Sequence, residues 1–150
     1  MEKAKLAVLK AEIKAQLEDI SKVYVKIEER KGKKDQITFE SLGYQLHNLY
    51  SAFEDLFKII AHTFENQIEN KSRYHIELLK RMGIPIEGIR PALISTETYQ
   101  LLDSLRAFRH FFRHGYVQNL DERKLLIVLD DALKLKNLYE RQVKEFLGKL

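Results

Sequence analysis

The sequence predicts an all-α fold, an up-and-down bundle of four long helices with one additional short helix. Three observations carry this. Apolar residues recur at steps of three and four along most of the chain, no segment shows a comparable strand-like alternation, and the interruptions coincide with Gly, Pro or capping residues.

Leu6, Leu9, Ile13, Leu17, Ile20, Tyr24 and Ile27 mark a first helix of about 25 residues or more, stopped by Gly32. A second begins near Thr38, where Thr38 to Ser41 offers caps, and Leu42, Leu46, Leu49, Phe53, Leu56, Ile60 and Phe64 form its buried stripe. A short third helix runs from Tyr74 to Met82 and ends at Gly83. The stretch from Gly83 to Pro91 holds both prolines and is the long loop. Ser95 or Thr96 caps a fourth helix that buries Leu102, Leu105, Phe108 and Phe112 and runs toward His114, with Gly115 placed to loosen or end it. Asp121 caps a last helix carrying Leu125, Val128, Ala132, Leu135, Tyr139, Val143 and Phe146. Short connections make neighbours antiparallel.

The 150 residues form a single domain, 1–150. A chain of this length buries roughly 70% of its unfolded surface and needs no disulfide or structural metal to fold. The absence of Cys excludes thiolate zinc sites, iron–sulfur clusters and Cys nucleophiles, and fits a reducing cytosol. The longest apolar runs, such as Leu125 to Leu129, fall far below the ~20 residues that cross a bilayer. Residues from Met1 to Leu6 lack the apolar region of a secretory signal, so a cytoplasmic protein without a membrane segment is expected. The formal net charge of +4 is small but unevenly placed. Residues 35–70 carry one basic and six acidic side chains, whereas residues 71–116 carry eight and four. That pattern suits RNA, an acidic partner, or neither.

The unusual segment is Arg106-Ala-Phe-Arg-His-Phe-Phe-Arg-His-Gly-Tyr116. On an ideal helix Arg109 and Arg113 lie about 40° apart, and Tyr116 falls on the same side if the helix persists. His110 and His114 share the neighbouring side, with His114 about 140° from Arg109. One helix therefore does not aim Arg109 and His114 at one atom: either it distorts near Gly115, or a second copy of the segment supplies the missing group across a dimer interface.

Such residues suit phosphodiester cleavage without a metal. Arg binds phosphate oxygens bidentately and stays charged, His exchanges a proton near neutrality, and in RNA the adjacent 2′-OH serves as nucleophile. The bland reading is a basic helix end whose Arg stems cover core edges and whose His complement the helix dipole. His110 and His114 could grip an ion, but a third ligand is not evident, so no metal and no other cofactor is expected. His47, His62 and His75 stand isolated and read as structural or surface residues. No phosphate-binding Gly loop, dinucleotide motif or Ser elbow is present.

Arg109-His-Phe-Phe-Arg-His114-Gly-Tyr116 resembles the Arg-x4-His-x-Tyr pattern of HEPN-domain proteins, in particular the HepT-like ribonuclease toxins. The likeness extends to the second-helix segment Leu46-His-Asn-Leu-Tyr-Ser-Ala-Phe-Glu-Asp-Leu-Phe57 and to Tyr74-His-Ile-Glu-Leu-Leu-Lys-Arg-Met82. The resemblance implies a HEPN-type four-helix bundle that forms a homodimer and cuts RNA without a metal, as the toxin of a type II-like toxin–antitoxin system. It implies that Arg109 binds or stabilises the scissile phosphate and that His114 transfers protons. His110, Arg113, Arg106 and Glu54 then bind RNA or support the site, with Glu54 or Asp55 expected to orient Arg109 or a His. Tyr116 matches the Tyr that a nucleotidyltransferase-type (MntA-like) antitoxin modifies with AMP in related systems. His110 departs from the Asn or other polar residue that commonly follows the Arg. The alternative is a HEPN scaffold that has lost catalysis and serves as the binding subunit of a minimal nucleotidyltransferase.

Overall fold

The apolar stripes become six α-helices in the computed structural model, which describes residues 1–65, 71–115 and 120–150. They are α1 (Lys3–Arg30), α2 (Gln36–Phe64), α3 (Tyr74–Met82), α4 (Thr96–His114), α5 (Glu122–Lys136) and α6 (Tyr139–Gly148). Among the described residues no helix is long and apolar enough to cross a membrane.

α1 stops where Lys31 turns extended and Gly32 takes φ +86°, a left-handed conformation that costs Gly little and lets the chain reverse. α2 starts two residues earlier than Thr38, and its cap is Asp35, not a residue of Thr38 to Ser41. The Asp35 carboxylate accepts the Thr38 amide at 3.0 Å and the Thr38 hydroxyl at 2.6 Å. A carboxylate there satisfies an orphan donor and complements the positive helix end, so the helix extends back to it. Ser95 and Asp121 cap α4 and α5 as the sequence predicts, accepting the amides of Thr98 and Arg123.

α2 is the central element and packs against α1, α3, α4 and α5. Leu42, Leu46, Leu49, Tyr50, Phe53, Leu56, Phe57 and Ile60 are each no more than 2% exposed. At Gly43 a Cβ would come within 2.9 Å of Leu120 Cδ1 and 3.2 Å of the Phe112 ring, so this glycine permits the close approach of α4.

The single last helix of the sequence reading is two. Asn137 and Leu138 donate to the carbonyls of Lys134 and Leu135, three residues back, which tightens the turn and ends α5. Apolar spacing does not register the break, because the backbone at Asn137 and Leu138 stays right-handed and Tyr139, Val143 and Phe146 remain buried. Tyr139 stacks on Tyr24 at 5.8 Å and meets Phe53 edge-on at 5.1 Å, tying α6 to α1 and α2.

The proline-containing loop is held from inside. Arg90, with a fully buried side chain, pairs with Glu65, its Nε donating at 2.6 Å. Its remaining donors reach the carbonyls of Arg81, Ile84 and Pro91. A charge buried this deeply is tolerable only when fully hydrogen-bonded, which this one is.

Two buried tyrosines differ in one respect. Tyr24 donates to the Ala132 carbonyl at 2.8 Å, whereas the Tyr50 hydroxyl is without a partner among the described residues. Tyr24→Phe is therefore expected to destabilise the protein by about 1 kcal/mol, and Tyr50→Phe to leave stability unchanged or raise it. Denaturant melts of the two variants check this, and an equal loss in both would contradict the assignment.

Candidate functional site

α4 runs unbroken to His114, and Gly115 closes it, its amide bonded to the Phe111 carbonyl at 2.8 Å. A Cβ at position 115 would lie 2.9 Å from that oxygen, so the end of the helix needs Gly. Of the two options the sequence left open, distortion before the motif's His is absent. Arg109 and His114 stay on sides of α4 about 140° apart.

Arg109 leans toward α2, where its Nε donates to Ser51 Oγ at 2.9 Å. Ser51 in turn donates to the His47 carbonyl at 3.2 Å. Among the described residues the guanidinium has no carboxylate partner and no other hydrogen bond, so its terminal amino edge remains available for a bidentate acceptor. His47 lies one turn before Ser51 on α2. Its ring runs parallel to exposed Tyr44 at 6.1 Å and tilts against Phe112 at 5.6 Å. Burial holds the His47 imidazole below its usual range, reinforced by the nearby Arg109 and Arg113 charges, while a hydrogen bond from its Nδ1 to Asn48 Oδ1 acts the other way.

The remaining motif side chains line the end of α4. His110 and His114 are exposed with ring centroids 4.5 Å apart, and Arg113 is exposed without a carboxylate partner among the described residues. Arg106 is half-buried and bonded to Asp103 at 2.8 Å. Tyr116 lies outside the described residues.

Glu54 departs from the expected arrangement. It orients neither Arg109 nor a motif His, and its side chain is too buried to meet RNA directly. It accepts His75 Nδ1 at 2.7 and 2.9 Å, with Lys58 Nζ at 3.8 Å. The reason is packing: α3 lies against α2 and delivers His75 to the carboxylate, so His75 is not isolated as the sequence suggested. Asp55 is exposed and lies 3.9 Å from Lys58. Among the described residues no group of three or more His, Cys, Asp or Glu is close enough to hold a metal ion.

Sequence reasoning missed Ser51, His47 and His75. A signal existed for the first two. Tyr44, His47, Ser51, Glu54 and Lys58 recur at three and four steps on α2, a polar stripe on the flank of its apolar face. His75 had no comparable signal.

The His47 environment makes stability depend on pH. Its folded pKa lies below the ordinary 6.5, so the unfolded chain binds the proton more readily. The stabilisation is present above pH 6.5 and is lost as pH falls below it. Thermal melts across that range should show a smaller acid-side loss in His47→Gln than in the wild type, and parallel curves would rule out this origin.

The family model for HepT-like protein matches residues 41–150, from the first turns of α2 to the end of the chain. No curated protein and no solved structure matches. The matched region covers well over half the chain and contains most of α2 and all of α3 through α6 with the α4 motif, and the architecture is all-α. The chain belongs to the HepT-like protein family, of HEPN type.

Proposed function

We propose that this protein is a metal-independent endoribonuclease, the toxin of a type II-like toxin–antitoxin pair, acting as a homodimer. The observation that carries the reading is the set of basic side chains at the end of α4. Arg109, His110, Arg113 and His114 gather there without a carboxylate partner among the described residues, and Arg109 is tethered by a neutral hydroxyl that leaves its charge uncompensated. A phosphodiester supplies the missing negative charge.

Arg109 binds the scissile phosphate and stabilises the charge that builds on it, His114 transfers a proton, and the 2′-OH of the substrate attacks. His110 and Arg113 add contacts to the RNA backbone, and Arg106 supports the helix flank through Asp103. Because Arg109 and His114 diverge on one α4, a two-fold pairing of α4 ends brings Arg109 of one protomer and His114 of its partner to one phosphodiester. The same divergence favours the second reading, a non-catalytic scaffold that partners a minimal nucleotidyltransferase. The antitoxin under the first reading is of that nucleotidyltransferase type. Its modification of Tyr116 with AMP would add bulk and negative charge two residues beyond His114, repelling RNA.

Purified protein is expected to cleave RNA in EDTA. His114→Ala should lower the rate by about 10² to 10⁴ and Arg109→Ala by about 10² to 10³. A wild type that leaves RNA intact and does not slow growth when expressed alone overturns the ribonuclease reading in favour of the scaffold. Coexpression with the neighbouring nucleotidyltransferase should raise the mass by one or more AMP units, and Tyr116→Phe should abolish the gain. An unchanged wild-type mass removes the modification from the proposal.

A further inference from the structure

The carboxylate–imidazole pair between α2 and α3 has no part in the mechanism above, yet its geometry is that of an oriented proton acceptor. Glu54 is almost wholly buried, its side chain 4% exposed, while the His75 side chain is 50% exposed. Both Glu54 oxygens lie within hydrogen-bond reach of one ring nitrogen, Nδ1, at 2.7 and 2.9 Å. An ionised carboxylate only accepts, so Nδ1 donates to Glu54, and whenever the ring carries one proton its lone pair sits on Nε2, facing away from Glu54. A purely structural link between two helices gains little from burying a carboxylate against a half-exposed His, because the desolvation cost offsets much of the attraction.

The pair and Arg109 are anchored on neighbouring residues of α2. Glu54, which holds His75, is three residues beyond Ser51, which holds Arg109, so the two anchors are neighbours about 5–6 Å apart on one flank of α2. Tyr50 marks the same place from inside. Its buried phenol, pushed above its usual range first by burial, also feels Glu54, Arg106, Asp103 and Arg109. α3, which carries His75, packs against both α2 and α4. Among the described residues, Lys58 Nζ also lies 3.8 Å from Glu54, and the Tyr74 ring meets His75 edge-on at 5.7 Å.

We infer that His75, held by the positioning residue Glu54, is a second proton-transfer residue of the site proposed around Arg109, serving as general base toward the 2′-OH of RNA. The inference rests on the ribonuclease reading above. The 2′-oxygen forms its bond to phosphorus as its proton passes to His75 Nε2, and the bond from phosphorus to the 5′-oxygen breaks as that oxygen takes a proton from His114. The products are a 2′,3′-cyclic phosphate and a free 5′-hydroxyl, and no co-reactant is consumed. Glu54 stabilises the imidazolium formed on His75, and Arg109 stabilises the phosphorane charge. The base then comes from the same chain as the phosphate-binding Arg109, and only the acid needs to cross the dimer.

The test follows cleavage of a defined oligoribonucleotide in EDTA by the full chain across the neutral pH range, with RNA binding measured in parallel. His75→Ala, at a half-exposed position, should reduce the rate by about 10²-fold or more while leaving RNA affinity unchanged, and added imidazole should restore part of the rate. Glu54→Gln, which keeps the shape of the buried side chain, should fall between wild type and His75→Ala. A substrate with a 2′-deoxy sugar at the cut should resist every form of the protein. A wild type inert in EDTA removes the ribonuclease reading and this inference with it. Active wild type, inactive His114→Ala and a wild-type rate in His75→Ala overturn this inference alone, as does a His75→Ala loss that tracks weakened RNA binding and resists imidazole.

Discussion

The burial of α2 is the constraint on which the rest of the structure depends. With α1, α3, α4 and α5 all packed against it, most of its circumference is core, and polar side chains have only a narrow flank left. Tyr44, His47, Ser51, Glu54 and Lys58 occupy that flank. Groups so placed must be satisfied by the helices that close over them, because an unpaired buried polar atom is costly. Ser51 is met by Arg109 of α4 and Glu54 by His75 of α3, so the packing that makes the core also brings the candidate chemistry together.

Two arginines show how the same side chain serves opposite ends. Arg90 is fully buried, and its donors go to Glu65 and to the carbonyls of Arg81, Ile84 and Pro91. It has no capacity left for a ligand, and its work is to fix the loop between α3 and α4. Arg109 is half-buried and spends one donor on a neutral hydroxyl. A neutral tether fixes direction without cancelling charge, which separates a binding arginine from a structural one more clearly than burial does.

What could be read from the sequence followed from what is periodic or local. The bounds of α3, the caps Ser95 and Asp121 and the end of α4 at Gly115 were legible because each depends on residues within a turn of one another. The cap of α2 was not. Thr38 stands nearer the apolar stripe, whereas Asp35 prevails through two bonds to Thr38 that spacing does not encode. The break between α5 and α6 was hidden because the apolar steps pass through it. Glu65–Arg90 and Glu54–His75 join residues far apart in sequence, and no local pattern announces either. The motif was visible as a string, but the direction of each side chain was not: a straight α4 separates Arg109 from His114, and only α2 shows where Arg109 turns.

The position of the motif at the C-terminal end of α4 bears on where a phosphate can seat. The last turn of a helix presents unsatisfied carbonyls and about half an elementary negative charge, which favours cations there and opposes anions. Arg113 and His114 belong to that turn, so part of their charge complements the helix itself. Arg109 lies more than a turn back, where the dipole effect has largely fallen off, and points toward the α2 flank. A phosphate held against Arg109 therefore meets a cation whose field is not spent on the helix end, with Arg113 close enough to add attraction. Under the proposed function, a phosphate would seat between α4 and α2, and the tip of α4, with His110 and His114, would be left to reach across to the substrate of a partner copy.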